Sequence, residues 1–217
     1  PGRLSEMGVE ADDVDLVVNT HLHVDHVGWN VRADAGEWVP TFANATYVFG
    51  DEEYRWWSHE HAARGPHSSA HQRAAFEECV EPIVAAGRAD LVGRDAVLHR
   101  EADLEIRLEP LPGHTPHQSG VHVRSGGSHA FLIADAVHHA MQFRRRDWQG
   151  RADFDRQMAR ATVDRLIESY ADTGTIIIAA HVPWSGGARL VGRGSQTVLL
   201  DAGQAGGDEG ASLRAAV

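Results

Sequence analysis

Six consecutive residues, His21-Leu22-His23-Val24-Asp25-His26, constrain this chain more than any other feature of its sequence. Three imidazoles and a carboxylate so close together cannot be packed as apolar core. They follow directly on DVDLVVNT at 13–20, a β-branched apolar run that reads as a buried strand feeding a loop. In extended backbone, residues two apart point the same way, so His21 and His23 can grip one ion. The turn that follows brings Asp25 and His26 to a second. Imidazole nitrogens and carboxylate oxygens are donors that zinc accepts. The fold therefore has to present a metal-binding loop at a strand end.

Composition agrees with that requirement. Histidine is abundant, 15 in 217 residues, beyond what packing needs. The formal net charge of -11 disfavours attraction to a phosphate backbone or an anionic membrane surface, so no nucleic-acid or membrane partner is expected. No apolar run approaches the roughly 18 residues of a membrane helix. The opening PGRLSEMGVE lacks a signal-peptide pattern. Cys79 stands alone, which rules out an internal disulfide and suits a reducing cytoplasm. At 217 residues and 42% apolar content, a single domain with a substantial core is expected. The first residue is Pro1, so the chain reads as a fragment or a processed product.

The remaining pattern alternates helices and strands. TYVFG at 46–50 predicts a strand, followed by a helix from Asp51 through EEYRWWSHEHAA with an acidic first turn. His59, His61, His67 and His71 belong to this polar stretch and are expected on a solvated surface, with a substrate lid as the alternative. A further helix over 69–87 breaks around Pro82. Residues 96–134 switch to strands, with Ser125-Gly126-Gly127-Ser128 as a hairpin turn. An amphipathic helix over 153–171 precedes the strand TIIIAA and a tail strand near RLV. One domain is expected over 1–200, with 201–217 as a flexible tail.

Three further groups occupy strand ends. His114 lies in Pro112-Gly113-His114-Thr115-Pro116, a loop whose Gly and Pro residues can fix the backbone and aim an imidazole. Asp135 ends FLIAD, where an unpaired carboxylate beside an apolar strand would be costly unless it met a cation or donors. His181 ends TIIIAA in the same manner. His138, three residues past Asp135, is a candidate to touch the substrate oxygen or protonate a leaving group. Trp29 and Trp184 follow metal-ligand loops, where they would either line a pocket mouth or pack in the core.

The order H-x-H-x-D-H, then G-H-T-P with a nearby S-G, then a strand-end Asp and a strand-end His, resembles the metallo-β-lactamase superfamily of hydrolases. DHVGWN and the DAVHH segment look most like its lactonase and organophosphate-hydrolase-like branch. The resemblance covers about residues 13–192 and implies a four-layer αββα fold. It further implies two zinc ions, with manganese or iron as alternatives. His21, His23 and His114 would hold the first ion, Asp25, His26 and His181 the second, and Asp135 would bridge both. Asp25 and His138 are the candidate catalytic residues.

The sequence departs from the family pattern in three places. Only 20 residues precede His21, which predicts an incomplete first sheet and an uncovered strand edge prone to pair with a second copy. The loop Gly113-His114-Thr115-Pro116-His117-Gln118-Ser119-Gly120 is one glycine shorter than the family's usual G-H-T-P-G-H-Q-S-G, which predicts a tightened loop around His114. The segment after Val191 is unlike a family ending and has no assigned role. The resemblance implies hydrolysis of a small ester, lactone or related substrate by metal-activated water. A glyoxalase II-like thioester hydrolase and an inactive truncated metal-binding fragment are the competing readings. Diiron oxidoreductases of this fold carry Glu where this chain has His23, which disfavours oxidoreduction.

Overall fold

The β-branched run ahead of the histidines forms strand β1 (Leu16–Asn19) in the computed structural model of the chain. The structure describes residues 2–183, 187–193 and 196–201, so Trp184 and the tail from 202 lie outside the described residues. Two compact units divide the chain at Gly93/Arg94.

The first unit opens with the short helix α1 (Gly2–Glu6). After β1 come the one-turn helix α2 (Val24–Val27), the hairpin β2 (Val31–Asp34) and β3 (Glu37–Pro40), and β4 (Thr46–Gly50). Helices α3 (Asp51–Ala63), α4 (Ala70–Cys79) and α5 (Glu81–Ala85) then lead to β5 (Ala89–Val92). Strands β1, β4 and β5 form a parallel sheet in the order β1-β4-β5. The central strand buries Tyr47, Val48 and Phe49 consecutively, as a strand covered on both faces must. Among the described residues, β1 is paired on one side only, by β4. The break expected near Pro82 separates α4 from α5, with Pro82 in the first turn of α5, where its missing N–H costs nothing. Two elements carried too weak a signal to be read: the β2–β3 hairpin turns on Ala35 and Gly36, both at positive φ, and β5 is only four residues long.

The loop that carries the histidine motif is held from behind. On α3 the buried Glu53 accepts from the Leu22 N–H at 3.3 Å and from the Trp57 indole N–H at 2.7 Å. On α4 the buried Gln72 accepts from the Val24 N–H at 3.0 Å and donates to the Leu22 carbonyl. The Asn19 amide donates to the His26 carbonyl at 3.2 Å. These side chains satisfy loop backbone groups that no strand or helix ladder reaches.

The second unit is built on a seven-stranded sheet in the order β12-β11-β10-β9-β8-β7-β6. Its strands are β6 (Val97–Glu101), β7 (Leu104–Pro110), β8 (Ser119–Ser125), β9 (Ser128–Ala134), β10 (Ile176–Ala179), β11 (Ala188–Arg193) and β12 (Gln196–Asp201). The hairpin expected at 125–128 pairs Ser125 with Ser128, and Gly126 and Gly127 supply the two positive φ angles of the turn. Of the segment after Val191, unassigned from sequence, residues 196–201 form β12, which pairs antiparallel with β11. Only β9 and β10 run parallel, which requires a crossover, and α6 (Arg156–Tyr170) supplies it. This helix buries Ala159, Thr162, Val163 and Leu166, the i, i+3, i+4, i+7 stripe of a helix facing a core. Its far end is tied to β7: the Tyr170 hydroxyl donates to Glu109 at 2.5 Å, and Arg165 adds a contact to the same carboxylate at 3.3 Å.

Two consequences are testable. Gln72→Ala leaves the carbonyl of the buried Leu22 without its side-chain partner, and a buried unmet group costs about 1–3 kcal/mol. Urea unfolding should show that loss, whereas an unchanged midpoint would mean the loop holds itself. In β8, the buried His122 packs against Phe131 and Tyr170, and burial, reinforced by Arg124 and Arg107, pushes its pKa below the ordinary histidine value. The unfolded imidazole, protonating near about 6.5, then binds the proton first, so stability is full above that pH and declines as the pH falls below it. His122→Phe should shrink the drop in melting temperature between neutral pH and about pH 5; an equal drop would contradict this assignment.

Candidate metal centre

In the first unit, β1 delivers the chain to His21, whose side chain is buried, and His23 occupies the position just before α2. The His21 ring lies 4.9 Å from that of His23, edge-on, and 4.1 Å from that of His26. The His21 Nδ1 is 3.2 Å from the Thr20 hydroxyl. His23 meets the Trp57 ring at 5.3 Å, so the Trp57 indole that donates to Glu53 also walls the motif. Asp25 stands in the first turn of α2, exposed, with its carboxylate 3.7 Å from His26 Nε2. The four candidate ligands of the motif, three imidazoles and one carboxylate, thus lie on one short segment.

In the second unit, sheet topology does the gathering. Parallel neighbours β9 and β10 end side by side, so Asp135, one residue past β9, and His181, two past β10, arrive together. The His181 Nε2 lies 3.1 Å from Asp135 Oδ2. Ala134 holds a positive φ of 47°, an unfavourable backbone for a residue with a Cβ, immediately before the carboxylate it aims. Its carbonyl is fixed by the Ala180 N–H at 3.1 Å. The β7–β8 loop lies at the same edge, because β8 runs antiparallel to β9. It brings His114 Nε2 to 3.4 Å from Asp135 Oδ2. His138 Nε2 approaches the same oxygen at 3.2 Å. The loop bearing His138 is pinned by Gln142, whose Oε1 accepts from the His138 and His139 N–H groups at 2.7 and 2.9 Å.

One buried carboxylate oxygen thus faces three imidazole nitrogens. The donor set of imidazoles and carboxylate suits a divalent ion, and His114, Asp135 and His138 offer ligand atoms within 4.8 Å of one another. On the loop expected to be tightened, the His114 ring is buried with its Nε2 3.4 Å from Asp135 Oδ2. Gly113 makes this possible: at φ 137°, a Cβ there would lie 2.3 Å from Ala159 Cα.

Several sequence expectations need correction or completion. Among the polar histidines, His59, His67 and His71 are exposed, but His61 stacks on Phe76 at 5.1 Å and is largely covered. Glu53, read as part of the acidic first turn of the helix, is buried as a support of the motif loop. Trp29 is 66% exposed and does not pack in a core. Sequence reasoning missed Asp153, which contacts His114 Nδ1 at 3.1 Å across 39 positions. No periodicity could have signalled that pairing.

Comparisons with known proteins identify the family. The sequence model of the Metallo-beta-lactamase superfamily matches residues 2–181. N-acyl homoserine lactonase AiiB from Agrobacterium fabrum is 30% identical over 148 residues, 66% of this chain and 48% of that protein. The chain therefore spans about half the length of the curated relatives it matches. The hydrolase AbOPH of the beta lactamase superfamily superposes with a TM-score of 0.74 at 24% identity, covering 90% of this chain and 66% of that one. AidC, a dizinc quorum-quenching lactonase solved with the product N-hexnoyl-L-homoserine, gives a TM-score of 0.75 at 20% identity, covering 92% and 68%. At these identities the structural likeness speaks for the fold, while the match over most of the chain decides the family: this chain belongs to the metallo-β-lactamase superfamily.

Proposed function

We propose that the chain is a zinc-dependent hydrolase of lactones and related small esters, acting over residues 1–200 as one hydrolase domain. The observation that carries this reading is the buried Asp135 carboxylate, with His181, His138 and His114 nitrogens at 3.1, 3.2 and 3.4 Å from one oxygen. The lactonase relative AiiB supports the substrate class, and the dizinc description of AidC supports the metal. By motif position, the residues that would hold the ions are His21, His23, Asp25, His26, His114, Asp135 and His181.

When bound, zinc would supply Lewis acidity, activating a water and polarising the substrate carbonyl. The chain's own residues do the rest. Asp25 and Asp135 provide negative charge that balances the ions. Glu53, Gln72 and Asn19 hold the motif loop, so its imidazoles lose little freedom on binding. His138, about one-third exposed and pinned by Gln142, is placed to protonate the departing alkoxide. No serine or cysteine nucleophile is needed.

The lone Cys79 is consistent with a cytoplasmic location, and the one-sided pairing of β1 favours association of two copies through that edge. No helix among the described residues is long and apolar enough to cross a membrane.

Turnover of a panel of lactones, aryl esters, thioesters and phosphotriesters, before and after chelation, tests the reading. Lactone hydrolysis should fall to background with chelator and return with zinc. Asp25→Ala should remove one ion and most turnover, while His138→Ala should lower kcat by about 10²–10⁴-fold with zinc still bound. Turnover indifferent to chelation would refute the mechanism. A zinc-loaded chain without turnover would instead identify a metal-binding piece lacking a complete pocket.

A further inference from the structure

We infer that Asp153 is a positioning residue that aims His114 and sets how tightly its site holds a metal ion. The inference rests on the proposed function in taking His114 as a ligand. Two ring nitrogens of His114 face two carboxylates: Nδ1 lies 3.1 Å from Asp153 Oδ1, and Nε2 lies 3.4 Å from Asp135 Oδ2. The His114 and Asp153 side chains are each 3% exposed, so water does not compete for the contact. A carboxylate can only accept, so an Nδ1 proton serves the Asp153 contact, which would leave the Nε2 lone pair available to a metal ion. A carboxylate behind an imidazole fixes its tautomer and ring angle and makes its other nitrogen more basic.

The second oxygen distinguishes this from an ordinary structural ion pair. Asp153 Oδ2 is buried with no hydrogen-bond partner among the described residues. Leaving a buried carboxylate oxygen unmet is costly, and the charge is best tolerated where it faces an imidazole made more positive by a cation on its far side. The segment around Asp153 is also built to the loop it serves. The Phe154 N–H donates to the His114 carbonyl and the Asp155 N–H to the Gly113 carbonyl, each at 3.1 Å. Thr162 donates to the Pro112 carbonyl at 2.5 Å. Asp155 also caps α6 by accepting from the Gln157 and Met158 N–H groups at 2.8 and 2.9 Å. The loop backbone is therefore held by main-chain bonds that survive loss of the Asp153 side chain. Ring direction, by contrast, depends on the carboxylate.

That separation makes the idea testable apart from folding. Zinc affinity of the full chain would be measured by competition with a chromogenic chelator, for the wild type, Asp153→Ala and Asp153→Asn. Melting temperature without metal would be measured beside it, and the His114 ring nitrogens followed by ¹⁵N NMR. Asp153→Ala should weaken one zinc by about 10–100-fold, and Asp153→Asn by about tenfold, with metal-free melting close to wild type. The zinc-loaded wild type should show the Nδ1–H tautomer at His114, and Asp153→Ala should lose its fixed ring signal. Variants that match the wild type in zinc affinity within about twofold would overturn the inference while leaving the functional reading intact. A wild type that takes up no zinc would overturn both. Should the alanine variant fail to fold, the isosteric asparagine decides on the same criterion.

Discussion

A buried carboxylate cannot be left uncompensated, and the second unit is arranged around that constraint at Asp135. The residue is 3% exposed, yet its Oδ2 meets nitrogens from three separate loops. Each feature of the unit that looks incidental serves this meeting. The single parallel strand pair places Asp135 and His181 abreast, and α6 exists as the crossover that such a pair demands. Strained backbone at Ala134 turns the carboxylate out of the strand. The glycine at 113 lets the third loop dock on α6. A sheet of different register or handedness would bring the same side chains to different edges.

The first unit solves the complementary problem of a loop dense in imidazoles and poor in regular backbone bonds. Its answer is to spend buried polar side chains on the main chain. Glu53, Gln72 and Asn19 each reach the motif from elements distant in sequence or from the preceding strand. The Trp57 indole adds a wall against His23 and a donor to Glu53. Catalytic groups held by rotamers alone would wander. Groups held by a satisfied backbone do not.

Much of this was legible because strong local signals coincide with strand ends. The run ending at Thr20, the apolar TYVFG, the paired glycines at 126–127 and the α6 stripe each announce an element through periodicity or turn chemistry. The metal-binding residues stood out because histidine and aspartate are unsuited to the ends of apolar strands unless something compensates them. What stayed hidden was long-range. Asp153 sits in a polar loop where a carboxylate normally meets water, and only the docking of residues 153–155 on Gly113 and His114 turns it inward. Glu53 looked like a helix-dipole residue, since its burial depends on Trp57 and the Leu22 N–H. His61 sat in a polar run, and its contact with Phe76 comes from a second helix. The strand near RLV was legible as β11, but its partner β12 was not.

The central proposal is that Asp135 and the imidazoles around it belong to a binuclear zinc centre. Native mass spectrometry of the zinc-loaded chain, counted beside Asp135→Ala, tests it most directly. The account predicts two zinc ions on the wild type and loss of both, or near-complete loss, when the shared carboxylate is removed. A wild type that saturates with one ion or none, or an Asp135→Ala chain that still carries two, would contradict it.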